Sequence, residues 1–226
     1  MRLFAVITWL ALWPVATAYS QPTSRFELGP VARLDRVFLE GGASGGTGVA
    51  GVVASYRLWK TYGVEAEITG ASNRIERSSE GWFISYAQGP NLTREEIERL
   101  APIARRSLAY TPGLGWTTAF VAQGEISPRV RIAGRAGISA RRYTETSSYT
   151  ILSMPEGVDP GRVARDFQDT SLNRTRGGLL LGVDASFAVT DRFNVAPELR
   201  FVYGGPARVG NNYRELGVGA RGTWRF

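Results

Sequence analysis

The sequence predicts an all-β protein, a single eight-stranded antiparallel up-and-down transmembrane β-barrel with short helices in long external loops. Three observations predict it. Apolar and polar residues alternate with period two in eight separate segments; the connections between them alternate between short and long; and the polar face carries acids and arginines in near balance. At 226 residues the chain has room for one barrel-sized domain and no comfortable second one.

The first twenty residues stand outside the barrel. Arg2 supplies a positive end, Leu3–Trp13 is an apolar run of about eleven residues, and Ala16-Thr17-Ala18 offers a small-x-small cleavage site. That run falls short of the roughly 18 residues that a membrane-spanning helix needs. Residues 1–20 are therefore expected to be a cleaved secretory leader, and residues 21–226 the barrel domain.

The last segment alternates most clearly. Leu216, Val218, Ala220, Gly222, Trp224 and Phe226 fall on one face; Glu215, Gly217, Gly219, Arg221, Thr223 and Arg225 fall on the other. Upstream, Val195, Leu199, Phe201 and Tyr203 oppose Glu198 and Arg200. Leu179, Leu181, Val183, Ala185, Phe187 and Val189 oppose Gly182, Asp184, Ser186 and Thr190. Val130, Ile132, Ala136 and Ile138 oppose Arg131, Arg135, Ser139 and Arg141, and Tyr110, Leu114, Trp116 and Phe120 oppose Thr111, Gly113, Gly115 and Thr117. Val64, Ala66 and Ile68 oppose Glu65, Glu67 and Thr69; Ala50, Val52, Ala54, Tyr56 and Leu58 oppose Gly51, Ser55 and Arg57. The first strand is the weakest, with Phe26, Leu28, Ala32 and Leu34 against Glu27, Arg33 and Asp35.

Three connections are tight, around Lys60–Gly63, Gln123–Arg129 and Thr190–Arg192. Four are longer: Glu40–Gly48, about Arg74–Arg106, about Thr144–Arg174, and Gly204–Asn212. Short periplasmic turns and long external loops produce this rhythm in an up-and-down barrel. Two long loops carry helical signals. Thr93-Arg94-Glu95-Glu96 fits a capping box leading into Ile97, Leu100 and Ile103, and Asp159-Pro160 opens a stretch through Val163, Ala164 and Phe167. Such helices either cover the barrel rim or form a recognition surface.

Period two does not say which face points outward, and a soluble barrel binding an apolar ligand would turn the apolar face in. Charge placement favours the inverse. Asp35, Glu65, Glu67, Asp184, Glu198 and Glu215 balance Arg33, Arg57, Arg131, Arg135, Arg200 and Arg221 on the polar face. An eight-stranded barrel is only wide enough for side chains to fill, and charges buried there must pair. These twelve residues are therefore the candidate lumen charge network. Trp116, Phe120, Phe187, Phe201, Tyr203, Trp224 and Phe226 lie towards strand ends on the apolar face, as aromatic girdles do; Trp59 falls on the polar side, near the rim.

The final residues, Gly217-Val218-Gly219-Ala220-Arg221-Gly222-Thr223-Trp224-Arg225-Phe226, resemble the C-terminal strand of bacterial outer-membrane barrels. Ala188-Val189-Thr190-Asp191-Arg192-Phe193-Asn194-Val195 is similar to a periplasmic turn of small OmpA- and OmpX-type barrels, as is Ile126-Ser127-Pro128-Arg129-Val130. The resemblance covers the mature chain in rhythm and its last third in motif. It implies bacterial outer-membrane localisation, with Trp224 and Phe226 serving as the signal read by the barrel assembly machinery. The peptidoglycan-binding function of larger OmpA-like proteins is not expected.

The sequence contains no histidine and no cysteine, which removes Ser-His-Asp and Cys-His catalysis, thiolate chemistry and imidazole metal ligands. Outer-membrane lipid A deacylases and palmitoyltransferases rely on a catalytic histidine in their families, so that chemistry is closed here. Carboxylate pairs such as Glu65 with Glu67, or Glu198 with Glu215, would be held ionised by arginines rather than poised as acid and base. Gly41-Gly42-Ala43-Ser44-Gly45-Gly46 lacks the Lys-Ser/Thr ending and following helix of a phosphate loop, and reads as a flexible external loop.

The net charge of +7 comes almost wholly from arginine, with Lys60 the one lysine. The arginines are spread over many segments, which together with export argues against nucleic acid; carboxylate pairing and lipid phosphates suit them better. The expected function is non-enzymatic and cofactor-free: an integral outer-membrane barrel, a monomer, plugged by its own side chains and mounting its loops for a structural or surface-interaction role. The expected partners are outer-membrane lipids, lipopolysaccharide phosphates included. The alternative is a narrow or gated pore.

Overall fold

The computed structural model describes residues 25–39, 42–82, 93, 95, 101–156, 167–204 and 213–226. The leader expected over residues 1–20, and nearly all of the connection Gly204–Asn212, lie outside the described residues. Nine strands form: β1 (Phe26–Phe38), β2 (Ser44–Arg57), β3 (Tyr62–Ala71), β4 (Ile75–Trp82), β5 (Ile103–Ser127), β6 (Val130–Ser153), β7 (Thr170–Ala188), β8 (Phe193–Tyr203) and β9 (Arg214–Arg225). They fall into two compact units. The first draws on Met1–Asn73, Pro112–Arg142 and Thr175–Phe226, the second on Arg74–Thr111 and Tyr143–Arg174.

Hydrogen bonding in the first unit runs round a ring. The strand order is β3-β2-β1-β9-β8-β7-β6-β5, and β3 pairs with β5 to close it. The β1–β2, β2–β3, β3–β5, β7–β8, β8–β9 and β9–β1 ladders are antiparallel, with Leu34 opposite both Gly48 of β2 and Val218 of β9. Among the described residues the first unit thus leaves no open sheet edge, and the eight expected strands close into a barrel. The turn ends are stitched as tightly: Gln123 N donates to Thr61 O at 2.7 Å, Ala188 N to Arg129 O at 2.8 Å and Arg225 N to Arg192 O at 2.8 Å.

Burial follows the sequence alternation. Along β3, Glu65, Glu67 and Thr69 are buried between exposed Val64, Ala66 and Ile68; along β9, Glu215, Gly217 and Arg221 are buried while Leu216, Val218 and Trp224 are exposed. The polar face points into the barrel and the apolar face points out. This inverse arrangement is unaffordable in water for so many residues, since a row such as Leu34, Val218 and Leu199 stays 76%, 58% and 47% exposed. Two glycines make room for the charged interior. A Cβ on Gly217 would fall on Asp35 Oδ1, and one on Gly219 would fall on Ala32 O and Arg33 Cγ.

The second unit is the ladder of β4 on β5, with Ile75 opposite Tyr110 and Trp82 opposite Ile103, together with the parts of β6 and β7 in that unit. Ile75, Ala104, Ala109, Tyr110 and Tyr143 are buried in it. Arg105 Nη2 reaches Glu80 at 2.5 Å, Arg174 lies 3.6 Å from Glu145, and the Tyr149 ring packs on Phe167 at 5.4 Å and under Arg106 at 5.8 Å.

Several expectations are corrected. The sheet has nine strands because β4 occupies part of the connection expected over Arg74–Arg106. Its sequence, Ile-Glu-Arg-Ser-Ser-Glu-Gly-Trp, is polar on both faces, so no alternation betrays it. β6 and β7 likewise extend to Ser153 and back to Thr170 into the connection expected over Thr144–Arg174. Those extensions are rich in Ser and Thr, which form strands without marking an apolar face. Both loop helices lie largely outside the described residues, and Ile103, counted on the first, opens β5 instead. Ser44, Gly45 and Gly46 are paired with Phe38, Val37 and Arg36 rather than looped; glycine hides a strand because it has no side chain to alternate. Tyr110, placed on the outward face with Leu114, is buried at 4% while Leu114 is 69% exposed, because the alternation shifts phase between Thr111 and Leu114. The turn expected over Gln123–Arg129 narrows to Pro128-Arg129. Trp59 sits in the β2–β3 turn, 75% exposed, its backbone N–H donating to Tyr62 O.

Candidate functional site

The inward face of the first unit brings most of the candidate charges into one network. Arg33 on β1 reaches Glu67 of β3 at 2.8 Å, Glu198 of β8 at 3.2 Å and its strand neighbour Asp35 at 3.5 Å. Arg221 on β9 holds Glu65 at 2.5 Å through Nη1 and donates from Nε to Glu198 at 2.9 Å. Arg135 on β6 donates to Glu65 at 3.1 Å and pairs with Asp184 of β7. Arg200 on β8 reaches Glu67 at 3.1 Å and Glu215 at 3.3 Å, with the Ser139 hydroxyl at 2.8 Å. Tyr213 donates its hydroxyl to Glu215. Glu65, Glu67 and Glu198 each sit between two guanidiniums, so the pairs are links of one web tying together six strands. Every one of the six candidate carboxylates lies against an arginine.

The other two candidate arginines go elsewhere. Arg57 and Arg131 do not enter that web but converge on Glu27 at the turn end of the barrel. Arg57 Nη2, Arg131 Nη2 and Arg225 Nε all lie 3.3 Å from the same oxygen, Glu27 Oε1. Thr223 donates to the other oxygen at 3.2 Å. A partly open cavity of about 60 Å³ adjoins this cluster, lined by Arg57, Arg131 and Glu27 on one side and by Glu65, Arg135 and Arg221 on the other. Room for a water is about 10–15 Å³ on this scale, so the cavity suits a few waters or one small ion.

Three charged contributors were not among the candidates: Glu27, Arg225 and Arg141. Arg141 donates to the Thr69 hydroxyl at 3.1 Å and to Gly113 O at 3.2 Å. The parity of each residue in its strand was the available signal. Glu27 alternates with Leu28, Arg225 with Trp224 and Arg141 with Ile138, which sets all three on the polar faces of their strands. Trp224 and Phe226 face outward at that same end, Trp224 on the Phe193 ring at 4.5 Å and Phe226 on Phe26 at 6.2 Å.

Chemically, paired carboxylates sharing guanidiniums lock neighbouring strands and fill the bore; they do not present a lone acid or base. Among the described residues no cluster of carboxylate side chains is arranged to hold a metal ion.

No protein-family model matches this sequence, and no curated protein matches it. Solved structures do. Neisserial surface protein A is similar at 16% identity, over 89% of this chain and 97% of that one, with a TM-score of 0.51. Ail, the attachment invasion locus protein of Yersinia pestis, solved in complex with the heparin analogue sucrose octasulfate, is 12% identical over 90% of this chain and 99% of its own, with a TM-score of 0.46. The N-terminal β-barrel domain of Pseudomonas aeruginosa OprF is 11% identical over 90% of this chain and all of its own, with a TM-score of 0.45. The closed antiparallel ring, its polar interior and the match to Neisserial surface protein A agree: this chain has the fold of the small bacterial outer-membrane β-barrel proteins.

Proposed function

We propose that the chain is an integral protein of a bacterial outer membrane, exported by a leader cleaved near residue 20, and that residues 21–226 form a barrel with a structural or surface-interaction role. The observation that carries this reading is the pairing of an outward apolar face with an ion-paired interior. Water would penalise the first, while lipid would reward it. The buried web plugs and stiffens the barrel, and the second unit, with its exposed Glu80–Arg105 pair, is the part to which we assign surface interaction. We read no enzymatic role, no cofactor and no nucleic-acid partner, and a monomer.

Two partner classes fit. Arg36 and Arg214 face outward beside the rings of Phe38 and Tyr203, at 5.9 and 5.6 Å, at the end of the barrel away from the tight turns. Guanidiniums over aromatic rings at a membrane interface suit lipid phosphates, those of lipopolysaccharide in particular. At the opposite end, Trp224 and Phe226 are the residues we assign to recognition by the barrel assembly machinery.

Fractionation tests the membrane reading. The protein should stay in outer-membrane pellets through carbonate and high-salt washes; release by either would refute it. A second reading, a narrow or gated pore, draws on the shared carboxylates and the 60 Å³ cavity. It predicts discrete openings of the refolded protein in planar bilayers, altered by Glu65→Gln or Arg135→Ala. A bilayer that stays quiet with insertion verified leaves the plugged barrel.

A further inference from the structure

We infer that the turn-end mouth of the barrel is a binding site for a small oxyanion, phosphate being the class that fits, held by Arg57, Arg131 and Arg225. Three guanidiniums converge at 3.3 Å on the single oxygen Glu27 Oε1. One carboxylate neutralises one of them, so two formal positive charges remain in a space where the side chains are only 10–17% exposed. The other acceptors within reach are neutral amides: Asn194 Oδ1, 3.0 Å from Arg225, and Gln123 Oε1, 3.5 Å from Arg131. The carboxylates that line the rest of the cavity, Glu65 and Asp184, pair with Arg135 and Arg221 rather than with these three arginines. At the rim, exposed Glu125 acts electrostatically on Arg57 and Arg225, and exposed Arg25, which lines the cavity, adds a positive charge that returns the sum to two.

Like charges held together in a poorly hydrated mouth attract a counterion, and planar guanidinium forks favour an anion with several oxygens over a spherical one. Arg57 and Arg131 line a partly open cavity of about 60 Å³, which provides the room and the entrance. Inorganic phosphate and the phosphate of a lipid headgroup share this chemistry. Glu27 then acts as a resident competitor that keeps the arginines gathered while the site is empty.

The test is isothermal titration of the refolded mature protein in maltoside micelles, which contribute no phosphate, with inorganic phosphate in one arm and glycerol 3-phosphate in the other. Saturable binding of one ligand per chain is expected, weakened at least about tenfold by Arg131→Gln and tightened by Glu27→Gln, which removes the competing carboxylate. The tighter arm assigns the source as free phosphate or as headgroup. Arg77→Gln, exposed on β4 in the second unit, should leave the affinity unchanged, and circular dichroism with heat-modifiable gel mobility establishes that each variant has refolded. Three results would each overturn the inference: no saturation in either arm up to about 10 mM, an affinity indifferent to Arg131→Gln and Glu27→Gln, or an equal loss in Arg77→Gln.

Discussion

Replacing Val218 by Arg distinguishes lipid from water around the barrel. Val218 is the fifth residue of a twelve-residue strand, β9, and its side chain is 58% exposed. It stands between Leu34 of β1 and Leu199 of β8, each directly opposite it in the ladder. An arginine there has no acidic neighbour on that face and, in a bilayer, no water at mid-depth. The cost expected for a basic residue at the midplane of a lipid-facing strand is about 2–4 kcal/mol, falling to about 0–1 near the interfaces. In water, the same change at an exposed position stays within about 0.5 kcal/mol. The assay is reversible chemical unfolding of the refolded protein in phospholipid vesicles, with Phe26→Arg, near the turn end of β1, as the interfacial comparator. A loss of about 3 kcal/mol at Val218 and less than about 1 at Phe26 is expected. Equal effects at the two positions, or a loss below about 1 kcal/mol at Val218, would refute the lipid-facing assignment of the apolar face.

Other outcomes follow from the interior and the strand ends. Arg221→Met should cost about 3–5 kcal/mol in the same unfolding assay, because it leaves buried Glu65 and Glu198 short of a partner; adding Glu198→Gln should restore part of the loss, and a double-mutant cycle with no coupling would mean that the two do not interact. Gly217→Val should destabilise the barrel by about 1–3 kcal/mol by forcing Asp35 and Arg200 aside, read as a lowered denaturant midpoint. Phe226→Ala with Trp224→Ala should lower the fraction assembled in cells far more than the stability of protein refolded in detergent; equal losses in both would reduce the pair to packing residues. Replacing 74–106 by a short linker should leave a heat-modifiable barrel while removing any contact made by the second unit.

The alternation of side chains made the barrel legible before any coordinates. Strands β1, β3, β8 and β9 keep period two from end to end, since each has one face in a polar interior and the other on an apolar exterior. Where that contrast fades, the reading fails. β4 and the outer parts of β6 and β7 have no apolar face to alternate, and the Gly45-Gly46 start of β2 has no side chains to compare. Tyr110 was misplaced because a phase shift of one residue leaves no mark in composition.

The inward charges were legible as a set for the same reason, since parity alone assigns Arg33, Glu65 or Glu198 to the bore. Their grouping was not. Glu67 meets Arg33 and Arg200 across strands more than thirty residues away in sequence, and Arg57 and Arg131 turn to Glu27 instead of joining the central web. Which charges share a level inside a barrel depends on how its strands stagger when the ring closes, and period two contains no information about stagger. Local chemistry therefore dictated which way each side chain points, while ring closure dictated which of them meet.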